Sequence, residues 1–360
     1  MSKITEVTEI EGTQLSEVKI QEIWGKVQKF AEYGFNKSHA AAYGMLSFQT
    51  AYLKAHHPYA FYAASMNLDI NNAEKLAEFV REMRHETIRL ERPDVQTSEA
   101  TFTVAHDGDG QPRAVRYALA AIRGVGVNAM RALVAERARG GRFRDYADLV
   151  QRLSGELNNK AFESLVNAGA CDSLPHTRAA MLQATQTLTR AAQKERERRA
   201  SQQVSLFDAG LDAPAPMTVP DKPEDPRLDL LEREYAALGA YMSGHPLDGM
   251  TRILKAAGTH TIAQAIAPDH PRRETKIGAM ITSMQVRQTR KQETMAVLTI
   301  SDPTGLYEAV AFPEDYQRMR QSLTTGQAFI FTLGIGERNG FRQLFVRNIE
   351  PLQMQLAESA

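Results

Sequence analysis

The chain has 360 residues, 43% apolar and 24% charged, a length and composition that suit two or three soluble globular domains. Its 43 basic residues balance 43 acidic ones, so a uniformly basic polyanion binder is excluded and any contact with nucleic acid has to come from local patches. The single cysteine, Cys171, excludes an intrachain disulfide framework and fits a cytoplasmic location. No apolar run approaches the roughly 18 residues of a membrane helix, and the polar, acidic stretch Met1–Thr13 has no signal-peptide core.

Residues 14–30 carry helical periodicity through Leu15, Val18, Ile23, Val27 and Phe30. After a polar break at 34–39, the alanine-rich stretch Ala40–Ala55 predicts a buried helix, ending near His56-His57-Pro58. Further helices are expected at Tyr59–Leu68 and Ala73–His85. Two β-like runs, Thr101–Ala105 and Ala114–Leu119, flank Asp107-Gly108-Asp109-Gly110, a hairpin signal. Residues 122–172 read as glycine-punctuated helix and His176–Ala200 as one long polar helix. Residues 201–227, with five prolines at 214, 216, 220, 223 and 226, read as a linker. A helix is predicted over Leu228–Met242. Five strands follow, at Lys276–Gln288, Thr294–Asp302, Tyr307–Phe312, Gln327–Gly336 and Phe341–Ile349, with a helix at Pro313–Leu323 between the third and fourth. That order is the pattern of an OB-fold barrel.

The sharpest motif is Ile122-Arg123-Gly124-Val125-Gly126-Val127-Asn128-Ala129, the hGhGxxxA turn of a helix-hairpin-helix. Its glycines allow a tight turn and close approach to a phosphate, and the amides of the next helix's first turn point at that anion. Such contact positions DNA without reading its sequence. Arg123, Arg131, Arg137, Arg139, Arg142, Arg144 and Arg152 face only Glu136, Asp145 and Asp148, a local cation surplus. A Gly-rich helix corner with a solvated arginine face is the competing reading, and Gly-x-Gly by itself favours it. A degenerate second copy at Asn167-Ala168-Gly169-Ala170 lacks the second glycine and reads as structural.

Gln203-Val204-Ser205-Leu206-Phe207 lies in the linker. Leu206 and Phe207 are adjacent apolar anchors and Gln203 a polar handle, as in a docking peptide; local packing on the protein's own helix is an equal alternative. In Gly34–Ala40, Asn36 or Ser38 is placed to cap the next helix, with Lys37 beside its N-terminus; a plain cap with a solvated lysine is preferred on pattern alone. His56-His57 has no third ligand nearby and is not a metal site. Cys171 reads as a small core residue, and Asp107 and Asp109 as turn residues. Arg287, Arg290, Lys291, Phe341, Arg342, Phe345 and Arg347 could line a strand-binding groove, although phenylalanines at strand spacing are as well explained by core packing.

Four ordered blocks carry a resemblance: Phe30–Tyr43 with Ser47–Pro58, Ala121–Gly126, Leu165–Asp172, and Glu234–Leu247. From about Gln14 to Glu350 the chain resembles the alpha subunits of bacterial DNA polymerase III, the C-family replicases. The resemblance implies a multidomain α+β protein. Its parts would be the helical end of the polymerase fingers (1–86), a small β-hairpin connector (87–121), a tandem helix-hairpin-helix region (122–200), a flexible linker with a clamp-binding peptide (201–227), a helical connector (228–270), a five-stranded OB-fold barrel (271–350) and a tail (351–360). It further implies that Gln203, Ser205, Leu206 and Phe207 dock on the sliding clamp. Arg123, Gly124, Gly126 and Asn128 would grip primer-template duplex, and the OB-fold would lie near single-stranded template. Asn36, Lys37 and His39 fall in the fingers, as candidates for nucleotide or phosphate contact.

The family's palm, whose aspartates hold two metal ions for phosphoryl transfer, has no counterpart in this sequence. The chain alone is therefore expected to be inactive and to hold no cofactor, with Mg²⁺ in the palm, and the other polymerase domains and subunits are expected partners. A stand-alone, non-catalytic DNA- and clamp-binding module is the alternative, as is a piece of the error-prone paralogue; the intact Gln-x-x-Leu-Phe peptide favours the replicative branch.

Overall fold

A computed structural model describes residues 16–33, 37–200, 217–270, 273–289, 291–338 and 341–352. The chain divides into two compact units at Phe61/Tyr62. The first holds α1 (Glu17–Tyr33), α2 (Lys37–His56) and the start of α3 (Pro58–Leu68). The apolar run 40–55 does form a helix, but the expectation of burial is corrected: α2 buries no side chain, and Tyr43, Met45, Leu46, Phe48, Tyr52 and Leu53 are all exposed. Apolar content disfavours water as a neighbour without specifying which segment covers the helix. Ser38 lies inside the first turn of α2 rather than at its cap position, and Asn36 lies outside the described residues.

The second unit opens with Tyr62 and Met66 of α3 packed in a core with Leu76, Val80 and Met83 of α4 (Ala73–His85), whose Asn72 cap accepts from the Lys75 amide. Strands β2 (Thr103–His106) and β3 (Pro112–Arg116) form the expected hairpin. Asp107 Oδ1 accepts from the amides of Asp109 and Gln111 and ties its turn. A two-residue strand, β1 (Leu90–Glu91), pairs parallel to β3, which two residues cannot signal in a sequence. Asn67 and Gln96 each imitate a strand partner: Asn67 exchanges two hydrogen bonds with the backbone of Phe102 (2.9 and 2.7 Å), Gln96 two with that of Phe143 (2.5 and 3.0 Å).

The stretch 122–172 resolves into α5 (Val127–Gly140), α6 (Tyr146–Leu153) and α7 (Asn159–Asn167), followed by α8 (Arg178–Ala200). Asp145 and Asn158 cap α6 and α7 with their side chains, as short polar residues at that position do. Leu149, Val150, Phe162, Leu165, Val166, Met181 and Leu188 form the shared apolar face of these helices. Cys171 lies fully buried among them, and burial pushes its thiol up, so it is an inert packing residue. After the described part of the linker, 217–226, comes α9 (Arg227–Leu238). It ends four residues before the predicted Met242 because Gly239 turns left-handed at φ 76°.

Helices α10 (Thr251–Ala256) and α11 (Ile262–Ile266) lead into a closed barrel of β4 (Glu274–Gln288), β5 (Thr294–Asp302), β6 (Gly305–Ala311), β8 (Phe341–Pro351) and β7 (Ala328–Arg338), in that spatial order. All pairs are antiparallel except β6 with β8, and α12 (Pro313–Met319) sits between β6 and β7 in the chain. Alternate residues (Ala296, Leu298 and Ile300; Phe329, Phe331 and Leu333; Leu344 and Val346) fill the barrel. This is a five-stranded OB-fold with its helix in the expected place.

Candidate nucleic-acid interface

A short 3₁₀ turn, Leu119–Ala121, precedes the hairpin, and Gly126 is the N-terminal cap residue of α5. Gly124 has φ 89°, and a Cβ there would stand 2.6 Å from Ser164 Oγ on α7, so both backbone conformation and space require glycine. Gly126 differs: its φ is −95°, and an added Cβ would meet nothing within 4 Å. No side chain caps α5, and the Val127, Asn128 and Ala129 amides have no acceptor among the described residues. Gly126 and Asn128 are exposed, so the positive end of a 14-residue helix opens to solvent.

The hairpin is held from behind by α9. The Arg123 amide donates to Ala237 O (3.0 Å) and its Nη1 to Ala236 O (3.0 Å), while Tyr117 Oη donates to Leu238 O (3.3 Å). Part of the Arg123 guanidinium therefore satisfies the last carbonyls of α9, a favourable place for a cation.

The expected cation surplus is smaller than the sequence suggests. Arg137 reaches the carbonyls of Val95 and Ser98 and pairs with Glu99 at 2.7 Å. Arg152 pairs with Glu136 at 2.9 Å and Asp148 at 3.4 Å, and its guanidinium lies 4.5 Å from the centre of the Phe143 ring. Arg139 pairs with Glu136 and Arg144 with Asp148. Hydrogen bonds from Arg139 and then Arg152 hold Glu136 below the usual carboxylate range. Asp148 is also held low: burial pushes it up, but bonds from the Arg144 backbone and guanidinium outweigh that. Of the seven arginines, Arg123, Arg131 and Arg142 are exposed and form no ion pair among the described residues, and Arg123 already bonds the Ala236 carbonyl. Sequence counting missed that Glu136 and Asp148 each engage two guanidinium groups, and that Glu99 reaches Arg137 from outside the region.

At the degenerate second copy, Gly169 takes φ 73°, and the Arg178 guanidinium occupies the space of its missing Cβ. The helix that follows, α8, has its N-terminus filled: Glu224 accepts from the amides of Arg178 (2.9 Å) and Ala179 (3.0 Å), and Thr177 Oγ1 from that of Ala180. A carboxylate of the chain itself stands where a phosphate could stand, in keeping with a structural role.

In the barrel, Arg342 donates to the carbonyls of Pro268 and His270, and Arg347 pairs with Asp315 at 3.2 Å. Both are thus engaged within the chain, and the Arg347 side chain remains half exposed. Phe345 stacks on Phe312 with ring centroids 5.2 Å apart, over the bare backbone of Gly336. Arg287 and Lys291 are exposed; Arg290 and the Phe341 side chain fall outside the described residues. So do Gln203, Ser205, Leu206 and Phe207. Lys37 and His39 lie in the first turn of α2, with the His39 ring 4.3 Å from that of Tyr43. Among the described residues no three His, Cys, Asp or Glu side chains are grouped to hold a metal ion, and no helix is long and apolar enough to cross a membrane.

The described residues thus hold a hairpin-helix with an open N-terminus and a five-stranded OB barrel, two parts of the kind found in nucleic-acid-binding proteins. Residues 87–181 match the family described as a helix-hairpin-helix motif, and residues 275–352 the family described as an OB-fold nucleic acid binding domain. The chain is similar to the DNA polymerase III subunit alpha of Caulobacter vibrioides, 38% identical over 98% of this chain and 30% of that protein. It is also similar to those of Thermus aquaticus (36% identical over 85% of this chain and 24% of that one) and Bacillus subtilis (35% over 94% and 29%). Over nearly its whole length the chain is similar to part of the DNA polymerase III alpha subunits. It spans between 24% and 30% of the length of these relatives.

Proposed function

We propose that this chain serves template-directed DNA synthesis as the DNA-gripping and clamp-docking part of a DNA polymerase III alpha subunit. The observation that carries this reading is the contrast between two helix N-termini: that of α8 is filled by Glu224, whereas that of α5 is uncapped and faces solvent past Gly126. Three free amides and a helix dipole bind a phosphate without regard to base sequence, which suits an enzyme that must slide over every sequence. The OB barrel supplies a second nucleic-acid surface, for single-stranded template. Gln203, Ser205, Leu206 and Phe207 tether the assembly to the sliding clamp. On this reading the carboxylates and Mg²⁺ ions of phosphoryl transfer are those of the polymerase palm, and the other polymerase domains and subunits are partners.

Gly126→Asp tests the grip. Asp is a good N-cap and the site has room and a compatible φ, so the variant folds at least as stably as the parent while its carboxylate covers the amides and repels phosphate. Duplex affinity, read by fluorescence anisotropy, should fall at least about tenfold, about 1.4 kcal/mol. Unchanged affinity in a folded variant overturns the hairpin as the grip.

A further inference from the structure

A cleft of about 830 Å³ opens between the start of α7, the loop before it and the middle of α8. Three cations line it, Lys160, Arg190 and Arg196, and none forms an ion pair or hydrogen bond among the described residues. One acid, Glu197, lines it too and already accepts from Gln193 at 3.2 Å. Arg196 lies directly over the bare backbone of Gly155, where any side chain would displace it. This concave surface concentrates positive charge, whereas the neighbouring arginines of α5 and α6 are mostly neutralised by acids.

The cleft is joined to the hairpin. A Cβ at Gly124 would lie 3.7 Å from Lys160 Cε, so the lysine stem runs along the turn that presents the α5 amides. Arg190 and Arg196 are six residues apart on α8, about 9 Å along its axis. A DNA strand rises about 3.4 Å per phosphate, so the two span between two and three phosphate steps.

We propose that Lys160, Arg190 and Arg196 form a second phosphate-backbone subsite that continues the path of duplex DNA from the α5 hairpin into the α7–α8 cleft. This rests on the reading of the hairpin as a DNA grip and assigns to the same interface three residues outside the hairpin motif. Phosphates are the ligands because the lining is polar and cationic, with Leu157 its one apolar residue, and because the cleft opens beside the amides of α5.

The test is duplex affinity of the full chain across a potassium chloride series, for the parent, Arg190→Gln/Arg196→Gln and Gly126→Asp. The paired variant should keep the parent's melting temperature, bind more weakly, and show a slope of log K against log salt shallower by about 1.8, about 0.9 for each lost contact. Parental affinity and slope in that variant overturn the subsite, and the hairpin reading survives if Gly126→Asp still weakens binding. Loss in the paired variant alone keeps the cleft and overturns the hairpin. A parent that does not bind duplex overturns both. If the paired variant fails to fold, Lys160→Gln reads the same quantity, with an expected slope change of about 0.9.

Discussion

Arg178 of α8 and Glu234 of α9 lie with Nη2 and Oε2 3.4 Å apart, and the Glu234 side chain is completely buried. Arg178 also grips Asp172 through two bonds of 2.7 and 2.6 Å, while the other Glu234 oxygen accepts the amides of Met242 (2.6 Å) and Ser243 (2.7 Å). One ion pair thus ties the second hairpin, the long helix and the turn that leads to the barrel. Glu234, which opens the sequence block 234–247, is a structural fastening.

Glu234→Ala removes the acceptor of two part-buried amides and one of the two carboxylate partners of a buried guanidinium. Breaking a buried pair from one side costs about 3–5 kcal/mol; the remaining Asp172 places this variant near the lower end, at about 3 kcal/mol. Denaturant unfolding measures it. A loss below about 1 kcal/mol, the worth of a surface pair, sinks the fastening role.

His245 makes the next tie. Its Nε2 lies 2.7 Å from Ser301 Oγ of β5, and its Nδ1 accepts from the Leu247 amide. Burial lowers its pKa to about 4 from 6.5, against the pull of Asp248 and together with the repulsion of Arg84. The folded state therefore prefers the neutral ring. That contribution to stability is fully present above about pH 6.5 and is lost as pH falls from 6.5 towards 4. Relative to His245→Gln, the parent should lose up to about 3 kcal/mol across that window, at about 1.4 kcal/mol per pH unit. Unfolding curves at several pH values give the difference directly. Parallel pH profiles for the two proteins refute it.

Features set by local geometry were readable in the sequence. The hairpin glycines, the Asp107 turn and the period-two alternation of β5, β7 and β8 each depend on neighbours within a few residues. What escaped depends on distant partners. Glu224 fills a helix end 46 residues before it, Glu234 meets Arg178 across 56 residues, and the arginines of α5 and α6 share Glu136 and Asp148. Composition counts such charges but cannot pair them. For the same reason the exposed face of α2 read as core: periodicity reports a helix, not its cover.

The hairpin's two glycines should respond in opposite ways. Gly124→Ala forces a side chain into a left-handed conformation and against Ser164 Oγ, 2.6 Å away. The conformation alone costs about 1–2 kcal/mol, and the contact adds to it. Pairing it with Ser164→Gly should recover only the contact's share. Stability is therefore lost at Gly124 and retained at Gly126→Asp, where duplex binding is lost instead. Thermal melts of the two variants make the comparison; equal stability at both positions contradicts the geometry.

The linker peptide is tested apart from DNA. Leu206→Ala/Phe207→Ala removes both apolar anchors while leaving Gln203 and Ser205. Truncating anchor residues at an interface commonly costs 2 kcal/mol or more each, roughly thirtyfold in affinity. Calorimetric titration with sliding clamp should show heat of binding for the parent and none for the double variant, with duplex affinity and melting temperature the same in both. Contact through a single pentapeptide is small, so the parent's own affinity is expected to be modest. Clamp binding that survives the double substitution would move the tether away from 203–207. Loss of duplex binding alongside clamp binding would mean that the peptide packs on the chain's own helices, the alternative its sequence left open.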